Sequence, residues 1–210
     1  MTPGQCVWGV VPVKAFESAK SRLGAVLSVH ERAELARSMF EHVISVLRSS
    51  PELAGVLVVT DSASVADAAV LAGARAARDP AGASSLADCV DHGLDEVRRC
   101  GGTAAVVLVS DLPEVTLGDI AVLVEFLTRF DIAIARDRGG EHTNALALRL
   151  ERRFPTSFGA VDSFRRHCET AERIGLSLSL IESPSLAFDV DTPDDYARLN
   201  RNRGSRVSFS

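Results

Sequence analysis

The sequence predicts an α/β protein, a three-layer sandwich with helices on both faces of a mostly parallel, mixed β-sheet. Short, continuously apolar runs, which are typical of strands buried on both faces, alternate with longer segments whose apolar residues recur at helical spacing. Two strand-like segments, 132–135 and 143–150, follow each other with little room for a helix between them, which indicates an antiparallel step after Arg136.

The strands are predicted from apolar and β-branched runs. The two clearest are 55–60 and 104–109, because both are almost continuously apolar. The full predicted set is 7–13, 55–60, 74–78, 104–109, 132–135 and 143–150. In open sheets of this kind, ligands bind outside the carboxyl ends of the parallel strands, so we expect the functional residues there.

Helix boundaries are predicted from capping patterns. Ser28 and Glu31 have the spacing of a capping box, and Pro51 stops the helix that follows them. Thr192 and Pro193 supply the N-cap and the first position of a final helix. The predicted helices follow Ser28, cover 64–72, 85–99 and 118–130, and begin again at Pro193.

The composition limits the number of domains and the class of partner. With 210 residues, 46% of them hydrophobic and 24% charged, the chain suits one core, so we expect a single domain over 1–200 and a frayed polar tail over 201–210. The formal net charge of −5 argues against a general nucleic-acid surface, which would be basic.

Cysteine usage and hydropathy predict the location of the protein. Cys6, Cys89, Cys100 and Cys168 form no CxxC pair and no His/Cys cluster, which argues against a zinc site or a redox dithiol. No apolar run approaches the roughly 20 residues that span a bilayer, and the N-terminus lacks a basic and apolar signal. We therefore expect a soluble, cytoplasmic protein with reduced cysteines and no membrane partner.

A basic loop follows the first predicted strand. Lys14 comes directly after it, and Lys20 and Arg22 lie in the same loop. Lysine supplies a point charge and arginine a bidentate contact, so the loop suits a triphosphate, although an ordinary solvated basic loop has the same composition. The chain contains no GxxxxGK[ST] sequence, which excludes a P-loop.

Carboxylates form the second candidate site. Asp61 and Asp111 each end a predicted strand. Asp189 and Asp191 alternate in an extended segment, so their side chains share a face and suit one magnesium ion with Asp111, or two ions that they straddle. Alone, Asp111 and Asp191 are better explained as a strand end and a helix cap. Together with the basic loop, the carboxylates favour phosphoryl or nucleotidyl transfer.

Six motifs follow one another along the chain. They are Pro12-Val13-Lys14 with Ala19-Lys20-Ser21-Arg22-Leu23, Thr60-Asp61, Ser110-Asp111-Leu112-Pro113, Thr143-Asn144-Ala145-Leu146, Phe158-Gly159 followed by Ser163-Phe164-Arg165-Arg166-His167, and Asp189-Val190-Asp191-Thr192-Pro193. From about Val10 to Leu199, this ordered set resembles the phospholactate guanylyltransferases of coenzyme F420 biosynthesis, which include phosphoenolpyruvate-using and phosphoglycerate-using members.

The resemblance implies a fold of the nucleotide-diphospho-sugar transferase type. The implied reaction transfers GMP from GTP to a small phosphorylated carboxylic acid, releases pyrophosphate and depends on Mg2+. The implied partners are GTP, the phospho-acid and the downstream transferase of the F420 pathway, and a homodimer is a possible assembly.

The resemblance also implies roles for individual residues. The triphosphate would be held by Lys14, Lys20 and Arg22, and magnesium by Asp111, Asp189 and Asp191. Catalysis would involve Lys14, Arg22 and Asp111. Thr60 and Asp61 would lie near the nucleoside, unless they merely end their strand. The acceptor acid would be bound by Thr143, Gly159 and Ser163, with added positive charge from Arg165, Arg166 and His167, although a helix face or a core position is at least as well supported for His167.

Three departures from the family pattern lie in the acceptor region. The Phe-Gly-Pro-Gly-Ser pattern is one residue longer here, from Phe158 to Ser163, and the usual Leu-Asn-x-Ala segment ends in Cys89 and lacks its asparagine. His142 directly precedes the Thr-Asn motif. Extra room near Cys89 and a polar partner in His142 slightly favour 3-phospho-D-glycerate over phosphoenolpyruvate or 2-phospho-L-lactate as acceptor. Alternatively, His142 faces solvent and Cys89 belongs to a helix core.

Two other functions fit the same residues. The chain could transfer a nucleotide to a different acceptor, or it could be a non-catalytic regulator that binds a nucleotide. The three aspartates favour an enzyme, because a protein that only binds the nucleotide has less need of them.

Overall fold

The computed structural model describes residues 5–80 and 82–207 and has a seven-stranded sheet at its centre. The strands are β1 (Val7–Pro12), β2 (Leu53–Val59), β3 (Arg75–Ala77), β4 (Ala104–Leu108), β5 (Ile132–Arg136), β6 (Thr143–Arg149) and β7 (Leu178–Leu180). Their order across the sheet is β3-β2-β1-β4-β6-β5-β7. All neighbouring strands are parallel except β6, which is antiparallel to both β4 and β5. The mixed sheet and the antiparallel step after Arg136 are confirmed.

Helices cover both faces of this sheet. They are α1 (Val29–Ser49), α2 (Ala63–Leu71), α3 (Leu86–Arg99), α4 (Leu117–Phe126), α5 (Ser163–Arg173) and α6 (Pro193–Val207), with two short 3₁₀ turns at Phe16–Ser18 and Ser21–Ala25. The predicted capping box of α1 forms, because Ser28 Oγ accepts from the Glu31 backbone N–H and Glu31 Oε2 accepts from the Ser28 backbone N–H. The helix therefore starts where the sequence indicates.

Alternate residues along the strands pack into two separate cores, one on each face of the sheet. On β1, Val11 packs with residues of α1, α2 and α4, whereas Val10 packs with residues of α3 and α5. The three-layer sandwich is thus confirmed. A third, smaller core joins Leu23 of the basic loop to α1, to Phe188 and Val190, and to Leu199 of α6. It attaches the loop and the last aspartate segment to the same face of the protein.

The sequence analysis missed α5 and β7. Only Ser163, His167 and Ala171 are buried on α5, so this helix lacks the apolar stripe that predicts one. β7 has three residues, none of them buried, and therefore gives no strand signal. α4 also ends at Phe126, before the predicted boundary at residue 130.

The last helix extends beyond the predicted domain boundary at residue 200. α6 runs through Val207, where a frayed tail was expected from residue 201, and Asn202 Nδ2 donates to Glu114 Oε1 at 2.7 Å. That contact ties the later part of the helix to the body of the protein. The expected tail residues 208–210 and the first four residues of the expected domain lie outside the described residues. Within the described residues, no helix has the length and apolarity needed to cross a membrane.

Gly93 on α3 offers a test of how closely the helix packs on the sheet. A Cβ at this position would lie 2.8 Å from Val59 Cγ2 and 3.0 Å from Val10 Cγ1, both on buried strands. We expect Gly93→Ala to destabilise the protein by about 1–3 kcal/mol through overpacking, despite the better helix propensity of alanine. Urea unfolding midpoints measure the change.

Gly118 on α4 provides the matched control, because a Cβ there meets only Thr116 Oγ1 at an ordinary 3.6 Å. Gly118→Ala should leave stability unchanged or raise it slightly. If both variants unfold at the same urea concentration, the close packing of α3 on β1 and β2 is contradicted.

Candidate functional site

An open cleft lies at the carboxyl ends of β1 and β4, where the sequence predicts the ligand. Its volume is about 800 Å3, within the range of small-molecule sites. Several of the predicted site residues line it, as do residues at the start of α3. These include Lys14, Ser85, Ala87, Asp111, Gly159 and Arg166.

Three aspartates converge beside this cleft. One carboxylate oxygen from each of Asp111, Asp189 and Asp191 lies within 4.8 Å of the other two. Phe188 and Val190 alternate with the last two aspartates and are buried in the small third core, which turns Asp189 and Asp191 to the opposite side. The structure thus brings together the three predicted metal ligands.

Asp189 is a partly buried carboxylate with a perturbed pKa. Burial, and then the nearby negative charge of Asp111, raises the pKa of Asp189 to about 6. Asn144 Nδ2 donates to Asp189 Oδ1 at 3.1 Å and to the Leu186 carbonyl at 3.0 Å, which fixes this carboxylate. The raised pKa means that ionising Asp189 costs more free energy than ionising an exposed aspartate, a cost that a nearby cation would offset.

Lys20 supplies one compensating cation. Its ammonium group donates to Asp111 Oδ2 and, at 2.7 Å, to Asp191 Oδ1, and its side chain is only 7% exposed. Burial alone would lower the pKa of Lys20, but the two carboxylates more than offset this and raise the pKa above its usual value. Among the described residues, Lys20 alone of the non-glycines has a positive φ, 56°, a conformation that costs about 1 kcal/mol. The backbone is therefore strained at Lys20, the residue whose side chain reaches the aspartates.

The cluster fits a hard divalent cation. Asp111 Oδ1 is buried and has no hydrogen-bond partner, whereas Oδ2, the other oxygen of the same carboxylate, accepts from the Lys20 ammonium group. An orphaned carboxylate oxygen beside two further carboxylates is a site that a hard cation satisfies. The donor set is all oxygen, which suits Mg2+ better than a softer metal.

A second, smaller cavity of about 270 Å3 borders Asp189 and Asp191. Its lining is mixed in charge: Arg22, Arg138 and His142 are basic, and three further aspartates also line it, Asp137, Asp194 and Asp195. Arg22 Nη1 lies 3.7 Å from Asp191 Oδ2, and His142 Nδ1 lies 3.3 Å from Asp137 Oδ2. Arg138 Nη2 is paired with Asp195 Oδ1 at 2.7 Å, so each basic side chain of this cavity lies beside a carboxylate of its lining.

The predicted acceptor residues Thr143 and Ser163 are buried in one polar network. Ser163 Oγ accepts from the Thr143 backbone N–H at 2.9 Å. His167 Nε2 accepts from the Ser157 backbone N–H at 2.7 Å, which leaves the proton on Nδ1 to be donated to Thr143 Oγ1 at 2.9 Å. Burial lowers the pKa of His167 to about 4, so this histidine is neutral at pH 7 and lies in the core.

The other predicted site residues are placed apart from the cavities described above. Cys89 is a residue of α3 that is buried in the core, and its Sγ donates to the Ser85 carbonyl at 3.4 Å. Arg165 is exposed and pairs with acidic residues of its own helix and N-cap, whereas its neighbour Arg166 lines the large cleft. Thr60 is buried and its Oγ1 accepts from the Ser62 backbone N–H, while Asp61 is exposed.

Sequence reasoning gave no role to Asn144 or Arg138. Asn144 was visible within the Thr-Asn motif, but nothing in the sequence indicated that its amide orients Asp189. Arg138 lies in the short connection between β5 and β6, and its Nη2 donates to Asp195 Oδ1 at 2.7 Å. No sequence signal distinguishes it from other loop arginines.

A family comparison agrees with this geometry. The chain matches the family described as "Guanylyl transferase CofC like" over residues 7–201. The chain belongs to this guanylyl transferase family. The resemblance found in the sequence motifs is thereby confirmed.

Curated relatives of this guanylyl transferase have several names. It is 37% identical over 190 residues to a phosphoenolpyruvate guanylyltransferase of Sphaerobacter thermophilus, covering 90% of each chain. It is 34% identical to a 3-phospho-D-glycerate guanylyltransferase of Phenylobacterium zucineum, covering 91% of this chain and 88% of the other. It is 32% identical to a 2-phospho-L-lactate guanylyltransferase of Methanocorpusculum labreanum, covering 90% and 81%.

Solved structures confirm the fold type of this guanylyl transferase. A putative nucleotide-diphospho-sugar transferase from Desulfovibrio desulfuricans has a TM-score of 0.75 at 20% identity, covering 93% of this chain and 87% of the other. A 4-diphosphocytidyl-2C-methyl-D-erythritol synthase from Anaerococcus prevotii has a TM-score of 0.68 at 9% identity, covering 96% and 97%. At such identities the likeness concerns the fold alone.

The buried histidine predicts a pH dependence of stability. The pKa of His167 falls from its usual 6.5 to about 4 on folding, so between these values the unfolded state binds a proton that the folded state does not. Wild-type stability should therefore fall as the pH falls through this window, by about 1.4 kcal/mol per pH unit from this group. His167→Gln keeps an acceptor for the Ser157 N–H and lacks this slope.

Urea unfolding at pH 7, 6 and 5 tests the comparison, because the other titrating groups are common to both proteins. The stability difference between wild type and His167→Gln should shrink as the pH falls. Parallel stability curves would contradict the neutral, buried state of His167.

Proposed function

We propose that this guanylyl transferase transfers GMP from GTP to a small phosphorylated carboxylic acid, releases pyrophosphate and depends on Mg2+. The observation that carries the proposal is the convergence of three carboxylate oxygens within 4.8 Å, one of whose residues lines a large cleft and the other two a smaller cavity. A cation held by this cluster would adjoin a nucleotide in the cleft and a second anion in the cavity.

The metal would be held by Asp111, Asp189 and Asp191, and when bound it supplies positive charge to the phosphates of the nucleotide. The orphaned Asp111 Oδ1 supports the assignment. Asn144 keeps Asp189 in place through its amide, so it is a positioning residue for this site.

The nucleotide would occupy the cleft of about 800 Å3. Lys14 is exposed at the end of β1, and Arg166 reaches the same cleft from α5, so positive charge faces the cleft from two sides. With Lys20 and Arg22 near the aspartates, these groups suit the charge of a triphosphate. We assign no base contact to Thr60 or Asp61, since Thr60 is buried at the strand end.

The acceptor would bind in the cavity of about 270 Å3, where Arg22, Arg138 and His142 provide donors. A phosphate monoester has a second pKa near 6, so its attacking oxygen is already ionised at neutral pH and needs no general base. This oxygen forms a bond to the α-phosphorus of GTP, the bond from that phosphorus to its bridging oxygen breaks, and pyrophosphate leaves with the electron pair. The basic side chains align two anions that would otherwise repel each other.

We propose phosphoenolpyruvate as the acceptor, because six of the similar relatives are named phosphoenolpyruvate guanylyltransferase, at 34% to 38% identity. 3-phospho-D-glycerate is the second candidate, and the position of His142 in the small cavity favours it, since this acid has an additional hydroxyl to bind. The argument for extra room near Cys89 is weaker, because Cys89 lies in the core.

The family resemblance also leads us to propose a place in coenzyme F420 biosynthesis and a cytoplasmic location. The product joins two phosphates in an anhydride, and a downstream transferase of the same pathway would consume it. We propose a homodimer on the same ground.

Substitution of the aspartates tests the metal site. We expect Asp111→Asn and Asp191→Asn to remain folded and to lose about 100- to 1,000-fold in the rate of pyrophosphate release, because each loses a charged ligand. Asp67→Asn, on the exposed face of α2, is the matched control and should keep wild-type activity. Wild-type rates at limiting Mg2+ in both cluster variants would contradict the proposed site.

Competition among the three acids tests the acceptor. With GTP, Mg2+ and equal concentrations of phosphoenolpyruvate, 3-phospho-D-glycerate and 2-phospho-L-lactate, we expect wild type to consume phosphoenolpyruvate first. His142→Ala should then keep that order, as should the control His30→Ala, whose imidazole is exposed on α1. If wild type consumes 3-phospho-D-glycerate first and His142→Ala alone loses the preference, the second candidate is correct.

A further inference from the structure

Lys20 holds carboxylate oxygens that a divalent cation also needs. Its ammonium contacts Asp111 Oδ2 and Asp191 Oδ1, and these two residues supply two of the three carboxylates in the cluster. The ammonium group and a divalent ion are therefore close neighbours on the same ligands. Two cations so placed repel each other, and the low exposure of Lys20 limits screening by solvent.

Charge also makes the ammonium group an effective competitor. Three ionised carboxylates carry −3, and Lys20 reduces this to −2. Arg22 contributes less, because its side chain is 71% exposed and its guanidinium lies 3.7 Å from Asp191. Lys20 is thus the main internal counter-ion of the cluster, and its removal would leave the full charge for a metal ion.

A small cavity beside Lys20 offers its side chain a second position. Its side chain borders a cavity of about 160 Å3 that Lys14, Ser110 and Asp111 also line. Lys14 and Asp111 line the large cleft as well, so this space adjoins the region where the triphosphate would lie. A rotation of the Lys20 side chain into it would exchange two carboxylate partners for a phosphate partner.

We propose that Lys20 couples the binding of the divalent metal to the binding of the triphosphate, by competing with the metal for Asp111 and Asp191 until a triphosphate draws its ammonium group away. The inference rests on the proposed function of the cluster and cleft. The coupling is reciprocal, so the metal also favours the lysine position that contacts the nucleotide. The enzyme would then bind the free metal weakly and the metal–nucleotide complex strongly.

The coupling makes opposite predictions for two ligands. In Lys20→Met, the affinity for Mn2+ without nucleotide should rise about tenfold or more, because the competing charge is lost. The affinity for the fluorescent analogue mant-GTP at saturating Mg2+ should fall, because a phosphate contact is lost. Electron paramagnetic resonance of free Mn2+ measures the first affinity and a fluorescence titration the second.

Two further variants serve as a second charge-removing substitution and as a control. Lys20→Gly removes the same charge and accepts the positive φ without strain, so it must repeat the result of Lys20→Met even if methionine unfolds the loop. Lys14→Ala removes a charge from the same loop but no carboxylate contact of the cluster, and should leave the affinity for free Mn2+ unchanged.

A variant that binds both ligands more weakly would overturn the inference, since Lys20 would then only support the structure of the site. An unchanged affinity for free Mn2+ in Lys20→Met and Lys20→Gly would overturn it as well. If wild type binds Mn2+ neither alone nor with GTP, the proposed metal site itself fails, and the inference fails with it.

Discussion

The repulsion among three carboxylates is the constraint on which the rest of the site depends. Asp111, Asp189 and Asp191 approach within 4.8 Å, and such a cluster is stable only with compensating cations and fixed ligands. Each structural feature nearby serves one of these needs. Lys20 adopts a strained backbone to supply charge, Asn144 fixes Asp189, and the small core around Phe188 and Val190 holds the aspartate segment in register.

The antiparallel strand β6 makes this meeting of residues possible. Because β6 runs against β4, with Ala145 opposite Leu108, the first residues of β6 lie at the carboxyl end of β4. Asn144 therefore reaches the aspartates, and His142 reaches the adjacent cavity. In an all-parallel sheet, the corresponding edge would carry only residues that follow strands. The single reversed strand thus adds residues that precede a strand to the same site.

Much of this could be predicted from the sequence, for identifiable reasons. Strand ends and the alternation of Asp189 and Asp191 are local patterns, and local patterns predicted the sheet and the cluster. The helical phase of α5 could not be predicted, because the helix has no apolar stripe. Arg165 and Arg166 were therefore both expected near the acceptor, whereas only Arg166 of the two lines the cleft. The contact of Lys20 with Asp111 could not be predicted either, because a contact between residues 91 positions apart depends on the complete fold.

The distribution of charge explains how an acidic cluster can serve two anionic substrates. Asp111 lines the large cleft with Lys14 and Arg166, and Asp189 and Asp191 line the small cavity with Arg22, Arg138 and His142. An anion in either cavity would therefore meet basic side chains as well as a carboxylate of the cluster. A cation held by the cluster would be attracted to both anions at once, so the two reacting phosphates are brought toward a common point. The negative charge of the cluster would thus allow it to retain a cation that both anions share.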